Sequence, residues 1–160
     1  VKNKIRITEG KDLDILRMAG RIRKADEDEL LAATGRNPMH VLTESWIDGG
    51  RRWAAWSGDE LVCVFGVALG PVISGVGSGI PWLIGTDLME DVKKEFLKES
   101  RWRVDEWVEE FGVLYNFVDV RNTRSIRWLK WLGFKFVEET IALGPHGMPF
   151  LQFYRRKSDV

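Results

Sequence analysis

At 160 residues, with 44% hydrophobic and 30% charged residues, the chain has the size and composition of a single soluble α/β or α+β domain, 1–160, able to bury a sizeable core. Its 24 Lys and Arg balance 24 Asp and Glu, which argues against a globally basic nucleic-acid binder, and its eight Trp imply an aromatic core or an aromatic-lined groove. One cysteine, Cys63, permits no internal disulfide and fits a reducing compartment, and the charged opening VKNKIRITEGKD lacks the apolar core of a secretory signal.

In chain order, Ile5, Arg6, Ile7 and Thr8 alternate and predict a short strand. Thr8 or Asp12 can cap a helix carrying Leu13, Ile15, Leu16, Ala19 and Ile22. Residues 25–34 predict a second helix, with Asp26, Glu27, Asp28 and Glu29 in its first turns, where carboxylates complement the helix dipole. Pro38 then opens a third helix through Val41, Leu42 and Trp46, stopped by Gly49 and Gly50. Two apolar runs, 52–57 and 61–69, flank Gly58, Asp59 and Glu60 and predict a hairpin. The hairpin places Cys63 in a strand, as a small buried hydrophobe rather than a reactive thiol.

Residues 61–85 carry no charge and are long enough to cross a bilayer as a helix. Gly66, Gly70, Pro71, Gly75, Gly77, Gly79, Pro81 and Gly85 interrupt them, so strand, loop and strand is the expectation. The glycines of 75–79 precede the strand-like 80–84. Phosphate-binding glycines follow a strand and open a helix, so these predict a flexible connection instead. Asp87 opens a long helix to Glu110. Asp87 and Glu90 have the spacing of a capping box, and Val92, Phe96, Val104, Trp107, Val108 and Phe111 form the buried stripe.

Residues 113–120 are a nearly unbroken apolar run, suited to a strand covered on both faces. Asn116 and Asp119 are its polar exceptions and need partners. Asn122 caps a helix of about three turns. Ile126, Leu129 and Leu132, widened by Trp128, give its apolar side, and Arg124, Arg127 and Lys130 a basic side that is read as solvated. Gly133 stops the helix in a left-handed conformation, Phe134 begins a strand, and 150–155 form the last one.

The pattern Asn122, Ser125, Arg127 and Leu132-Gly133-Phe134, set behind a buried strand, resembles motif B of the GNAT superfamily of N-acyltransferases. The run PWLIGT (Pro81 to Thr86), the long charged helix, the strand and NTRSIRWLKWLGF also resemble a family of short-tailed phage proteins. An internal virion (core) protein and prophage relatives belong to that family, and this resemblance covers nearly the whole chain. The two resemblances imply a GNAT-like α/β fold: a mixed, mainly antiparallel sheet of six or seven strands with helices on both faces. They imply that Trp82, Leu83 and Ile84 splay from a parallel neighbour at 113–119, and that acetyl-CoA or another acyl-CoA passes between the two. Its holders would be Trp82, Leu83, Ile84, Gly85, Thr86, Asn122, Ser125 and Arg127.

The sequence departs from the GNAT pattern in two places. After Ile84 there is one glycine and no Arg or Gln, and Asp87, Glu90 and Asp91 crowd the place of the pyrophosphate. Arg121, Arg124 and Arg127 are the candidates to reach the phosphates instead. Leu129 stands where many GNAT enzymes carry a general-acid Tyr. By residue type, Glu44, Asp48 and Asp119 are candidate bases for an acceptor amine. His40 and His146 are isolated, so no metal is expected. Two functions remain open: an acyl-CoA-dependent N-acyltransferase, or a non-catalytic phage internal virion or host-interaction protein. The second implies phage structural proteins as partners and a place in the host cytoplasm or inside the virion. Neither a membrane span nor nucleic acid is expected.

Overall fold

Alternating strands and short turns lay down the first half of a sheet. β1 (Ile5–Glu9) pairs antiparallel with β2 (Arg51–Ser57), and β2 with β3 (Glu60–Leu69) across the expected turn. β3 pairs antiparallel with β4 (Ser78–Gly85). The computed structural model describes residues 4–47 and 50–159, so the N-terminal three residues and Gly49, expected to stop the third helix, lie outside the described residues. The second half of the sheet is β5 (Val113–Asp119), β6 (Lys135–Phe136), β7 (Ile141–Leu143) and β8 (Met148–Arg156). Among the described residues this makes one eight-stranded sheet in the order β1-β2-β3-β4-β5-β8-β6, with β7 also against β8. Its mixed, mainly antiparallel architecture is the expected one. The additional strand is β7, three residues too short to show an alternation.

The single parallel pairing is β4 with β5, and it is brief. Ser78 aligns with Val113 and Gly79 with Leu114, after which the strands part. Gly79 allows this junction: a Cβ there would lie 2.8 Å from Leu114 Cδ2 and 3.0 Å from the Phe111 ring. The neighbouring glycines form the connection between β3 and β4. Gly77 and Gly79 lie against Phe111 at the C-terminal end of α4 (Met89–Phe111), the end of a helix whose dipole repels anions.

α4 crosses one face of the sheet. Met89, Val92, Phe96, Val104, Trp107 and Val108 are buried against Phe65, Val67, Leu114, Val118 and Phe153. α5 (Thr123–Trp131) adds Ile126, Trp128 and Leu129 to the same layer and exposes Arg124, Arg127 and Lys130, as its pattern predicts. α1 (Asp12–Leu16) and α3 (Pro38–Ile47) cover the other face, where Ile15, Leu42 and Trp46 bury against Ala54, Leu61, Val64 and Ile84. Each fully buried side chain of this kind contributes about 1.5–3 kcal/mol. α2 (Lys24–Thr34) lies between, at the open end of the parted strands.

Two helix starts differ from the expectation. Thr8 is paired with Ala54 inside the sheet and cannot cap α1. Lys11 takes the cap position instead, and the Asp14 carboxylate accepts its backbone N–H at 2.8 Å. α4 begins at Met89, with Leu88 in the cap position, so Asp87 and Glu90 form no capping box. Backbone carbonyls do that work: the Met89 N–H donates to Thr86 O at 3.1 Å and the Asp91 N–H to Leu88 O at 3.1 Å. Side chains cap α3 and α5. Asn37 Oδ1 accepts the Met39 N–H at 2.9 Å, and Asn122 caps α5 by accepting the Ser125 N–H at 3.4 Å.

Gly133 has φ of 91°, and a Cβ there would stand 3.3 Å from Arg155 Nε. Replacing it by alanine strains the backbone without filling space. Gly133→Ala should lower unfolding stability by about 1 kcal/mol or more, read from the midpoint of urea denaturation.

Candidate functional site

The parting of β4 from β5 creates a wedge, and the wedge opens into a cavity of about 400 Å³. Its walls are largely apolar: Trp82, Leu83 and Ile84 on one side, Val118 on the other, and Phe96 and Trp107 from α4. Asn116 spans the narrow end. Its Nδ2 donates to Pro81 O at 2.8 Å, and its Oδ1 accepts the Phe117 N–H at 2.8 Å. This is the partner that a polar residue in an apolar strand requires.

The open end is crossed by α2. Asp26 Oδ2 accepts the N–H of Gly85, the last residue of β4, at 2.7 Å. Glu29 Oε1 accepts the N–H of Asp119, the last residue of β5, at 2.6 Å. Arg23, just before α2, donates its backbone N–H to Gly85 O at 2.8 Å and its Nη2 to Ser125 Oγ at 3.2 Å. Its guanidinium also lies over the Trp128 ring, 5.0 Å from the centroid, and its Nε lies 2.7 Å from Asp26. One helix turn thus ties the far ends of both strands to each other and to α5.

The electrostatics of these groups differ. Burial raises the Glu29 carboxyl to about 7, against the lowering bond from Asp119 N–H and with further raising by Asp26 and Asp119. Asp119 is buried as well, which opposes its charge, but the Arg121 guanidinium holds its carboxyl below the usual range. Burial pushes the Cys63 thiol upward, which suits its place as a packed hydrophobe in β3.

The residues singled out in the sequence fall into three groups. Trp82, Leu83, Ile84 and Ser125 line the cavity. Gly85, Thr86 and Asn122 are buried beside it: the Thr86 hydroxyl donates to Leu61 O and Val62 O at 3.1 and 2.9 Å, and Asn122 serves as the α5 cap. Arg127 is exposed on α5. Of the other candidates, Glu44 is exposed on α3 and paired with Arg36, Asp119 is paired with Arg121, and Asp48 lies outside the described residues. Arg124 is engaged by Glu90 at 2.6 Å. Among the described residues no group of three or more His, Cys, Asp or Glu could hold a metal, and no helix is long and apolar enough to cross a membrane.

Arg23, Asp26 and Glu29 were not among the candidates. Their acids look like ordinary dipole complements at a helix start. The signal lies in their spacing: 26, 29, 30 and 33 fall on one helix face, and all four line the cavity. Asp26 is buried on this face and Glu29 is half-buried, so both carboxylates need partners.

The wedge and the start of α4 differ in chemistry. The wedge offers largely apolar walls. The start of α4, where a pyrophosphate would lie, offers few donors: the N–H groups of Thr86, Met89 and Asp91 bond to Val62 O, Thr86 O and Leu88 O. Asp87, Glu90 and Asp91 add negative charge at the same turn.

The fold is shared with acetyltransferases. An aminoglycoside N(6')-acetyltransferase from Legionella pneumophila superposes with a TM-score of 0.73 at 13% identity, over 99% of this chain and 95% of that one. A spermidine N-acetyltransferase from Vibrio cholerae, solved with CoA and spermine, superposes with a TM-score of 0.67 at 13% identity, over 98% and 97%. A ribosomal-protein-S18-alanine N-acetyltransferase from Escherichia coli gives 0.61 at 11%, over 95% and 93%. At such identities the likeness is one of fold. No curated protein matches the sequence. Residues 62–141, half of the chain, match the family described as bacteriophage T7, probable scaffold protein Gp13.

Asp26 tests the crossing of the wedge. Removing its carboxylate leaves the buried Arg23 and the Gly85 N–H without their acceptor. Asp26→Ala should cost about 3 kcal/mol in chemical denaturation.

Proposed function

The chain belongs to the family of the bacteriophage T7 probable scaffold protein Gp13, and from this we propose that it is a phage structural protein, working in particle assembly or inside the virion, that keeps an acetyltransferase fold without acyl-CoA chemistry. One observation carries the proposal. At the turn that would face the pyrophosphate, backbone carbonyls take the N–H groups of Thr86, Met89, Glu90 and Asp91, and Asp87, Glu90 and Asp91 add three carboxylates. Of the arginines that could compensate, Arg121 is held by Asp119 and Arg124 by Glu90. Arg23, bonded to Ser125, reaches across the wedge between α2 and α5. The partners in this reading are other phage structural proteins, met in the host cytoplasm and retained in the particle.

A second reading, acyl transfer to an amine, draws on the carboxyl of Glu29. Held near 7 at the cavity wall, it has the proton affinity of a general base at neutral pH.

Acetyl-CoA separates the two. A ligand that binds only the native protein raises its melting temperature with concentration. No shift is expected with acetyl-CoA up to about millimolar, and the chain should be found in purified particles of its phage by mass spectrometry. A shift at micromolar acetyl-CoA, reduced by Arg127→Ala, would overturn the structural reading and support the enzymatic one.

A further inference from the structure

The balance of 24 cations and 24 carboxylates conceals a local segregation. Residues 120–137, which hold α5, carry Arg121, Arg124, Arg127, Lys130 and Lys135 and no Asp or Glu. α5 turns Ile126, Trp128 and Leu129 toward the core and leaves Arg124, Arg127, Lys130 and Trp131 exposed. Two contacts set α5 alongside α4. Arg124 lies 2.6 Å from Glu90, and the Arg101 guanidinium lies over the Trp131 ring, 4.8 Å from its centroid. Arg127 comes between these contacts on α5, and Lys93 and Lys94 come between them on α4, so the cations of both helices share one face. Few carboxylates can neutralise it. Glu90 is shared by Arg124 and Lys93, at 2.6 and 3.7 Å. Asp119 holds Arg121, and Asp105 holds Arg155. Asp91, one turn before Lys94, marks the edge. Glu95, Glu99 and Glu106 lie roughly 140° or more around α4 from Glu90 or Arg101, on the flank away from α5. Among the described residues no ion pair engages Arg127, Lys130 or Lys94.

An aromatic ring stands among these cations. Trp131 is 43% exposed and belongs to neither core cluster; Arg101 holds its ring from α4. A cationic face needs no indole to stay in water. Cations beside an open ring are the combination that holds a single nucleic-acid strand, the cations taking phosphates and the ring taking a base. We propose that the α4–α5 face binds single-stranded nucleic acid, with Arg127, Lys130 and Lys94 on its phosphates and Trp131 stacked on a base. The ring decides the kind of partner. An acidic peptide would satisfy the cations and leave Trp131 uncovered. A duplex keeps its bases stacked on one another and offers mainly phosphates. Arg124 and Lys130 stand six residues apart, about 9 Å along the helix, so the cations follow a backbone rather than gather round one anion. Arg101 lies over one face of Trp131, and the ring's remaining exposure is where a base stacks. This surface is separate from the apolar wedge, and it carries the same charge whether or not the chain is built into a particle.

The test is fluorescence anisotropy of a labelled oligodeoxythymidylate of about 20 nucleotides, titrated with the full chain across a range of salt. Binding should weaken with salt, with log K falling against log salt at a slope near about −2, the value for three phosphates on a single strand. The double variant Arg127→Ala, Lys130→Ala should lower affinity about tenfold or more at low salt and make the slope shallower by about 1.4. Trp131→Ala should lower affinity about tenfold and leave the slope as it is, because stacking releases no counterions. Should Trp131→Ala fail to fold, Trp131→Leu, which keeps apolar bulk without a stacking face, takes its place with the same expected loss. The double variant Lys24→Ala, Arg36→Ala removes equal charge elsewhere and should bind as the native chain does. Absence of binding at low salt would overturn the proposal. So would an equal loss in the Lys24 and Arg36 control, unchanged affinity at position 131, or binding of the matching duplex or of polyglutamate as tightly as the single strand.

Discussion

Two hydrogen bonds from one turn of α2 hold the open end of this fold. β4 and β5 share a parallel register for two residues and then separate, so each strand has N–H groups that its sheet neighbour cannot take. Buried backbone donors without acceptors cost about 1–3 kcal/mol each. The Gly85 N–H finds Asp26, and the Asp119 N–H finds Glu29, three residues further along the same helix. That spacing is one turn, so a single rigid element spans a gap that the sheet leaves open. The position of α2, the shape of the cavity and the contact from Arg23 to α5 all depend on this crossing.

The same crossing explains an asymmetry between the two ends of the wedge. At the narrow end the closure is by packing and by one amide: Gly79 admits Leu114, and Asn116 bonds both its own strand and Pro81. At the open end the closure is ionic. Charged acceptors make stronger bonds to N–H than neutral ones, but they lose more when buried. Arg23 relieves Asp26 of that loss, with its guanidinium also over Trp128 and bonded to Ser125. Glu29 has no comparable ion pair among the described residues, and burial raises its carboxyl to about 7.

Much of the architecture was legible in the chain because it rests on periodicity and on residues with narrow conformational preferences. The stripe from Val92 to Val108, the Asn122 cap, the Gly133 stop and the hairpin around Gly58 all stand as their sequences imply. What could not be read depends on tertiary contacts. Asp87 and Glu90 have the spacing of a capping box, but the turn from Thr86 satisfies the helix start with its own carbonyls, leaving Glu90 to pair with Arg124. The acids at 26 and 29 look like dipole complements until the strands they meet are known. The eighth strand, β7, exists because β8 offers it an edge beyond the end of β6. The cavity residues Trp82, Leu83, Ile84 and Ser125 were found through a resemblance, since nothing in their local pattern distinguishes them from other core positions.

A wedge of this kind sets a requirement on any chain that folds this way: the parted edges need partners. Either a bound molecule supplies them or the protein does. In this chain the donors of Gly85, Phe117 and Asp119 are all met from within, by Asp26, Asn116 and Glu29. The anion end is likewise met from within, by the carbonyls of Val62, Thr86 and Leu88. A fold whose parting is internally satisfied gains little from a cofactor and keeps its shape without one. That independence is what the proposed structural role would call for, since its surroundings would be other chains. Within the crossing the two carboxylates differ: Asp26 is buried and paired with Arg23, while Glu29 is half-buried and has no ion pair among the described residues.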